Sequence, residues 1–340
     1  MNADERSVTW PAGSATGVGS MPGTDPREAM AVIVGELPDF PHLAELPARG
    51  PGADIIGRTA SLLIDLPVQT TARGWRLAAR PGRDLSRAAG MLSADLDAME
   101  EAAEGFDGTF KIQVCGPWTL AASLELSRSM EPALADEGAV ADLVGSLAEG
   151  LSAHVAAVKR RLPDAAICVQ VDEPALPGVL AGAVPTASGL HRLSAVEASV
   201  ASDNLRIVLD AAAEPALVHC CAQQIPFACI TGAGATAVSF DLSLLRRTDE
   251  DAFGEAAEAG LGMFAGVVHP LPRVPARQSA AAVIDLWLRI GLPAGRLAEQ
   301  VVITPACGLA GASPADARTA LGQCVAAAKL IPELIEEGFR

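Results

Sequence analysis

Basic residues are in short supply: 25 Lys and Arg stand against 41 Asp and Glu in a chain of 340, a formal net charge of −16. Such a surface repels polyanions and anionic bilayers, so neither nucleic acid nor a membrane is expected as a partner. No stretch approaches the ~18 uninterrupted apolar residues that a transmembrane helix needs. The opening MNADERSVTWPAG lacks a basic segment followed by an apolar run, which argues against a secretory leader and for a cytoplasmic protein. The seven cysteines, Cys115, Cys168, Cys220, Cys221, Cys229, Cys307 and Cys324, form no short-spaced framework, so structural disulfides are not expected. Tyrosine is absent, and with the abundance of alanine this reads as a bias of composition that carries no chemistry. Hydrophobic residues are not scarce: they are 50% of the chain against 19% charged, which excludes disorder and supplies a sizeable core.

Short apolar or β-branched runs alternate with Ala- and Leu-rich stretches of helical spacing, the pattern of βα units around a parallel sheet. Strands are expected at 15–20, 40–46, 111–116, 167–172, 216–221, 235–241, 262–269 and 301–307. Helices are expected at 26–36, 88–104, 117–129, 137–161, 189–202, 249–259, 277–290 and 314–330, several opened by a capping Ser, Thr or Asp. No polar linker divides the array. The expected fold is therefore α/β, a (β/α)8 TIM-type barrel in a single domain over residues 15–335, preceded by an N-terminal extension, residues 1–14. The stretch 47–86 is too long for an ordinary connection and is expected to lie over the active face as a long loop. It carries Arg49, Arg58, Arg73, Arg76, Arg80 and Arg83 against Asp54, Asp65 and Asp84, either solvated loop charges or an anion-steering patch.

Chemistry-bearing residues fall at the C-terminal ends of the expected strands, where βα loops assemble barrel active sites. Ser20, Glu45, Asp172, Cys221, Asp241, His269 and Cys307 all do so. Turn propensity explains a serine there, but not His, Cys and Cys together. His219 and Cys221 are two apart on one strand and share a face, and both are good ligands for a borderline-soft ion. Cys307 ends the last strand, and barrel closure would bring it to the same axis. Asp241 offers a fourth, oxygen ligand or a turn cap. Cys220 points the other way. Asp172 and Glu173 end a buried apolar strand on alternate faces, so one of them enters the barrel mouth, either for a structural salt bridge or for a cationic group of a ligand.

From Gly17 to Leu309 the motifs, in order, resemble the catalytic domain of cobalamin-independent methionine synthase. GVGSMPGTD resembles its first-strand motif, which implies that Ser20 contacts the backbone of homocysteine. CGPWTLA resembles its GPxT turn, at Gly116, Pro117 and Thr119. VDEPAL implies that Asp172 holds the substrate's amino group, with Glu45 helping to fix the amino acid. HCC and ACGL imply zinc ligands at His219, Cys221 and Cys307, with Asp241 where the family has a glutamate. GVVHPLPRVP resembles the seventh-strand segment one residue short, which puts the family's catalytic histidine at His269. Ser123 replaces a tryptophan associated with the folate ring, Trp118 being close by. A chain of 340 residues has no room for the N-terminal half of the family's long form.

The resemblance implies a zinc-dependent methyltransferase acting on the thiol of homocysteine to form methionine, with Zn2+ as cofactor. Its methyl donor is expected to be a methylfolate or a methylcorrinoid protein, held by a partner or by the basic loop. Two other readings stay open at this point. One is a uroporphyrinogen decarboxylase-like barrel or a corrinoid-linked thiol methyltransferase; the other is a non-catalytic zinc-binding partner subunit.

Overall fold

The computed structural model describes residues 10–338, so residues 1–9 of the expected extension lie outside the described part. In chain order the elements begin with α1 (Pro26–Glu36), α2 (Ile55–Ala60), β1 (Val68–Thr71), β2 (Gly74–Leu77), α3 (Arg83–Ala102), β3 (Thr109–Cys115), α4 (Pro117–Ser123) and β4 (Leu124–Glu125). They continue with α5 (Glu137–Arg161), β5 (Ala166–Asp172), α6 (Leu176–Leu180), α7 (Ala198–Ala211), β6 (Ala216–His219), α8 (Phe227–Gly232) and β7 (Ala237–Asp241). The last are α9 (Glu250–Glu258), β8 (Gly262–Val268), α10 (Ala276–Arg289), α11 (Ala294–Gln300), β9 (Val301–Pro305) and α12 (Pro314–Glu336).

The fold is α/β, with a curled sheet of six parallel strands in the order β3-β5-β6-β7-β8-β9. The segments expected as strands at 15–20 and 40–46 are not regular strands. Gly17 and Gly19 give one of them little to pack, and Pro41 has no N–H to donate in the other. Each is instead held by single parallel bridges: Ala15 with Ile303 on β9, His42 with Lys111 on β3, and Ser20 with Glu45 between them. The two edges of the sheet are thereby linked through these segments, which is why it curls.

Strand alternation sends one side chain inward and the next outward. The outward rows pack on the helices in the main core. Among the inward rows, Cys168, Leu217, Ala237, Phe264 and Val302 meet Trp10 and Phe40 in a separate apolar plug near the strands' N-terminal ends. Phe264 is its hub, edge-on to Trp10 at 5.1 Å and to Phe40 at 6.0 Å between ring centroids. Trp10, in the described end of the expected extension, is thus a core residue. Residues further along the same inward rows are polar, and they form the site.

Helices begin where capping chemistry predicts: Asp25 accepts from the N–H groups of Arg27 and Glu28 ahead of Pro26, and Ser313 accepts from Asp316 N–H ahead of Pro314. Three expected helices move. The one at 117–129 stops at Ser123, where the chain becomes extended as β4 beside β2. The one at 189–202 is displaced to α7, because 184–193 folds back on itself through a Pro185–Arg192 bridge. The one at 314–330 runs on to Glu336, through Pro332. The stretch 47–86 is no plain loop, since it contains α2 and the β1–β2 hairpin. Among the described residues, no helix is long and apolar enough to cross a membrane.

Candidate active site

Five of the six strands, β5 to β9, contribute their last inward residue or the first residues after it. Asp172 ends β5, His219 ends β6 with Cys221 just beyond, Asp241 ends β7, His269 follows β8, and Cys307 follows β9. Parallel strands in register bring these ends together: Asp172 is paired with His219, and His219 with Ser239.

Cys307 is exposed and Cys221 half-buried, yet their sulfurs are hydrogen-bonded to one another. Cys307 accepts from Cys221 and from His219, and these bonds hold its thiol down at about 4 against the opposing effect of burial. The bond to Cys307 and burial together push the Cys221 thiol up. His219 is oriented from behind, with its Nδ1 2.9 Å from the Ser239 hydroxyl, which leaves Nε2 to face the cysteines. One imidazole nitrogen and two sulfurs are the donor set that zinc takes. Among the described residues, however, no three His, Cys, Asp or Glu side chains stand around a common point as a finished metal cage. Asp241 does not join them: its Oδ1 accepts from the N–H (2.8 Å) and the hydroxyl (2.7 Å) of Ser243, capping a turn. His269 is half-buried beyond the end of β8, and among the described residues no hydrogen bond or ion pair ties it to the cysteine pair.

Beside the sulfurs lies a second, more deeply buried group. Gln170, one inward step below Asp172 on β5, donates from Nε2 to Asp172 Oδ1 at 2.7 Å and to the Val18 carbonyl at 2.8 Å. Lys111, fully buried on β3, donates from Nζ to Gln170 Oε1 at 2.7 Å and to the same Val18 carbonyl at 2.9 Å. Burial pulls Lys111 down to about 8, with Asp172 the largest influence opposing that. Burial and the nearby Glu45 raise Asp172, while Lys111 and Gln170 oppose the shift. Glu45 stands 3.6 Å from Arg58 Nε, and Arg58 is itself paired with Asp95, which also takes Arg49 at 2.8 Å. Ser20 is fitted against the loop after Cys307: its carbonyl accepts from Leu309 N–H at 2.8 Å, and a Cβ on Gly308 would collide with the Ser20 hydroxyl. Only glycine allows that approach.

Glu173 turns away from this group. Its carboxylate accepts from Trp118 N–H (2.8 Å), Thr119 N–H (2.8 Å) and the Thr119 hydroxyl (2.6 Å), so it caps the N-terminus of α4. A Cβ on Gly116 would strike that carboxylate. The GPWT and DEP motifs are therefore two halves of one structural joint, and Asp172 is the acid that enters the mouth.

Sequence reasoning missed Lys111, Gln170 and Ser239, and read Arg58 only as one of the loop charges. The first two were within reach, because KIQVC and VQVD alternate polar and apolar residues and so present an inward polar row. Arg58 and Ser239 act across elements, which spacing does not reveal. The arginines of 47–86 are largely committed to structure, Arg49 and Arg58 to Asp95, Arg73 and Arg76 to Glu125. A cavity of about 550 Å³ opens elsewhere, between α4, α5 and α7, lined by Trp118, Val140, Leu193 and Val196 but by none of the cysteine, histidine or acidic residues of the site.

The chain matches the family described as cobalamin-independent synthase, catalytic domain, over residues 13–330. Among solved structures it is similar to a B12-independent methionine synthase from Shewanella sp. W3-18-1 in complex with selenomethionine, at a TM-score of 0.61 and 10% identity, over 96% of this chain and 99% of that one. It is also similar to GH5_18 from Streptomyces cattleya in complex with GlcNAc, at a TM-score of 0.50 and 18% identity, over 96% and 81% of the two chains. At such identities both likenesses speak for the fold alone. A search of curated proteins returns no match. With its family match running almost from end to end, the chain belongs to the cobalamin-independent methionine synthase family, in the part that family defines as the catalytic domain.

Proposed function

We propose that the chain transfers a methyl group to the thiol of homocysteine, forming methionine, at a site where His219, Cys221 and Cys307 hold one zinc ion. The observation that carries this reading is the convergence of the Cys221 thiol and the His219 imidazole on Cys307, beside a buried carboxylate at Asp172. Homocysteine or methionine as ligand is further supported by the selenomethionine complex of the Shewanella relative. Asp241 would serve as a fourth ligand through its Oδ2, since Oδ1 is taken by Ser243. We also propose that the segments at 15–20 and 42–45 complete a (β/α)8 barrel with the six strands, a single catalytic domain over 15–335 preceded by residues 1–14.

Zinc, when bound, lowers the ionisation of a thiol into the neutral range and so supplies a thiolate nucleophile. The chain's own residues bind and orient. Asp172 and Glu45 receive the substrate's ammonium group, Ser20 its amino-acid backbone, and the Gly308 approach keeps Ser20 close to Cys307. His269 takes the place of the family's catalytic histidine at the rim. In the reaction the bond from the donor to its methyl breaks, the new S–CH3 bond forms, and the thiol proton is lost. The donor is a methylfolate or a methylcorrinoid protein.

Metal analysis of the purified chain, together with methionine formation from homocysteine across a panel of methyl donors, tests the reading. About one zinc per chain and turnover with at least one donor are expected. A chain that stays zinc-free when supplied with zinc, or makes no methionine from any donor, overturns it.

A further inference from the structure

We propose that Lys111 and Gln170 are positioning residues that set the Asp172 carboxylate to receive the ammonium group of an amino-acid thiol. This deepens the substrate reading above and rests on it. The geometry is a fixed relay. An ammonium donates and never accepts, so the Gln170 oxygen must be the atom that faces Lys111 Nζ at 2.7 Å. The amide is thereby locked in one of its two orientations, and its Nε2 is delivered to Asp172 Oδ1 at 2.7 Å. With Oδ1 held, Oδ2 is left for a ligand.

Both relay members also donate to the Val18 carbonyl, two residues before Ser20, at 2.9 and 2.8 Å. The carboxylate and the serine are thus referenced to the same atoms. Charge points the same way. Asp172 and Glu45 are two acids in one buried space, and two neighbouring carboxylates disfavour each other's ionisation. Lys111, fully buried beside them, supplies the positive charge that opposes this and favours the ionised form of Asp172.

The test compares the binding of methionine with that of 4-(methylthio)butanoate, which is methionine without its amino group, by calorimetry on the zinc-loaded chain. The unaltered protein should prefer methionine. Asp172→Asn, Lys111→Met and Gln170→Glu should each lose about tenfold or more of that preference, the size of one charge-assisted hydrogen bond, with affinity for the amine-free ligand nearly unchanged. Gln170→Glu keeps an acceptor for Lys111 and removes the N–H groups given to Asp172 and to the Val18 carbonyl, so it carries the test if Lys111→Met does not fold. A merely structural role would weaken both ligands together, and that result, or an unchanged preference in Gln170→Glu, overturns the proposal. If the unaltered protein binds no methionine, the substrate reading itself fails, and the proposal with it.

Discussion

Cys307 is exposed, and an exposed thiol is ordinarily protonated at neutral pH; here two donors, Cys221 and His219, hold it toward the thiolate. If these three atoms take zinc, Cys307→Ser should remove the metal, whereas Cys220→Ser should leave zinc content unchanged, since Cys220 is fully buried in the core on the opposite face of the chain from Cys221. Metal analysis of both variants decides it, and zinc retained in Cys307→Ser refutes the assignment. Ser239 makes a subtler case. By bonding His219 Nδ1 it fixes the ring that faces the cysteines, so Ser239→Ala should weaken zinc binding by about 10- to 100-fold while leaving the fold intact, read from competition with a chelating dye. The outward turn of Cys220 could be read from alternation within one strand. The role of Ser239 could not, because its partner lies on the neighbouring strand and register is not written in spacing.

Elements whose sequence obeyed a single rule were legible. α1 and α5 run over the expected residues because a capping aspartate and an unbroken apolar stripe agree at both. The β1–β2 hairpin was hidden because VQTTARGWRL has few apolar residues and pairs only with itself and β4. The displaced α7 shows the same limit, since an Ala-rich run upstream looks helical until a bridge such as Pro185–Arg192 uses its backbone. α5 also carries a titration consequence. His154 is buried on it, and burial, with Arg58 and Arg161 nearby, lowers its pKa from 6.5 to about 3. A base whose folded pKa lies below its unfolded value binds its proton more readily when unfolded, so its contribution to stability is complete above pH 6.5 and is lost as pH falls toward 3. Buried Asp172, Glu45 and Glu173 are raised and pull the other way, so the useful quantity is a difference. Relative to His154→Leu, the unaltered chain should lose about 1.4 kcal/mol of stability for each pH unit below 6, measured by urea unfolding between pH 7 and 5. A constant difference across that range would mean that His154 binds its proton equally well in the folded and unfolded chain.

At the scale of the whole molecule the open matter is how a methyl donor is held, because in-line transfer needs the donor carbon within roughly 3–3.5 Å of the sulfur. Free methylfolate would need a stacking surface at the mouth and cations for its glutamate. Among the described residues, Trp118, Arg73 and Arg76 are the first candidates for these roles. Trp118 is only 1% exposed, and its indole N–H is spent on the Ala201 carbonyl at 3.0 Å, so its ring cannot serve a pterin from the rim. Ser123 stands where the family resemblance expects an aromatic ring. Arg73 and Arg76, the basic side chains nearest the role of an anion dock, already share Glu125, at 3.6 and 2.6 Å. A donor carried by another protein needs neither feature, because its own fold orients the methyl group and the mouth of the site has only to receive it. We therefore expect methylation of homocysteine from free methylfolate monoglutamate to be slower than from a methylcorrinoid protein by on the order of 100-fold, the cost of a misplacement of about 1 Å. Zinc content and homocysteine affinity should be the same in both assays, because the limitation is orientation and not thiolate formation. Single-turnover rates with the two donors at matched concentrations measure it. Equal rates, or a faster one with free methylfolate, would mean that the mouth supplies the orientation through residues other than Trp118, Arg73 and Arg76.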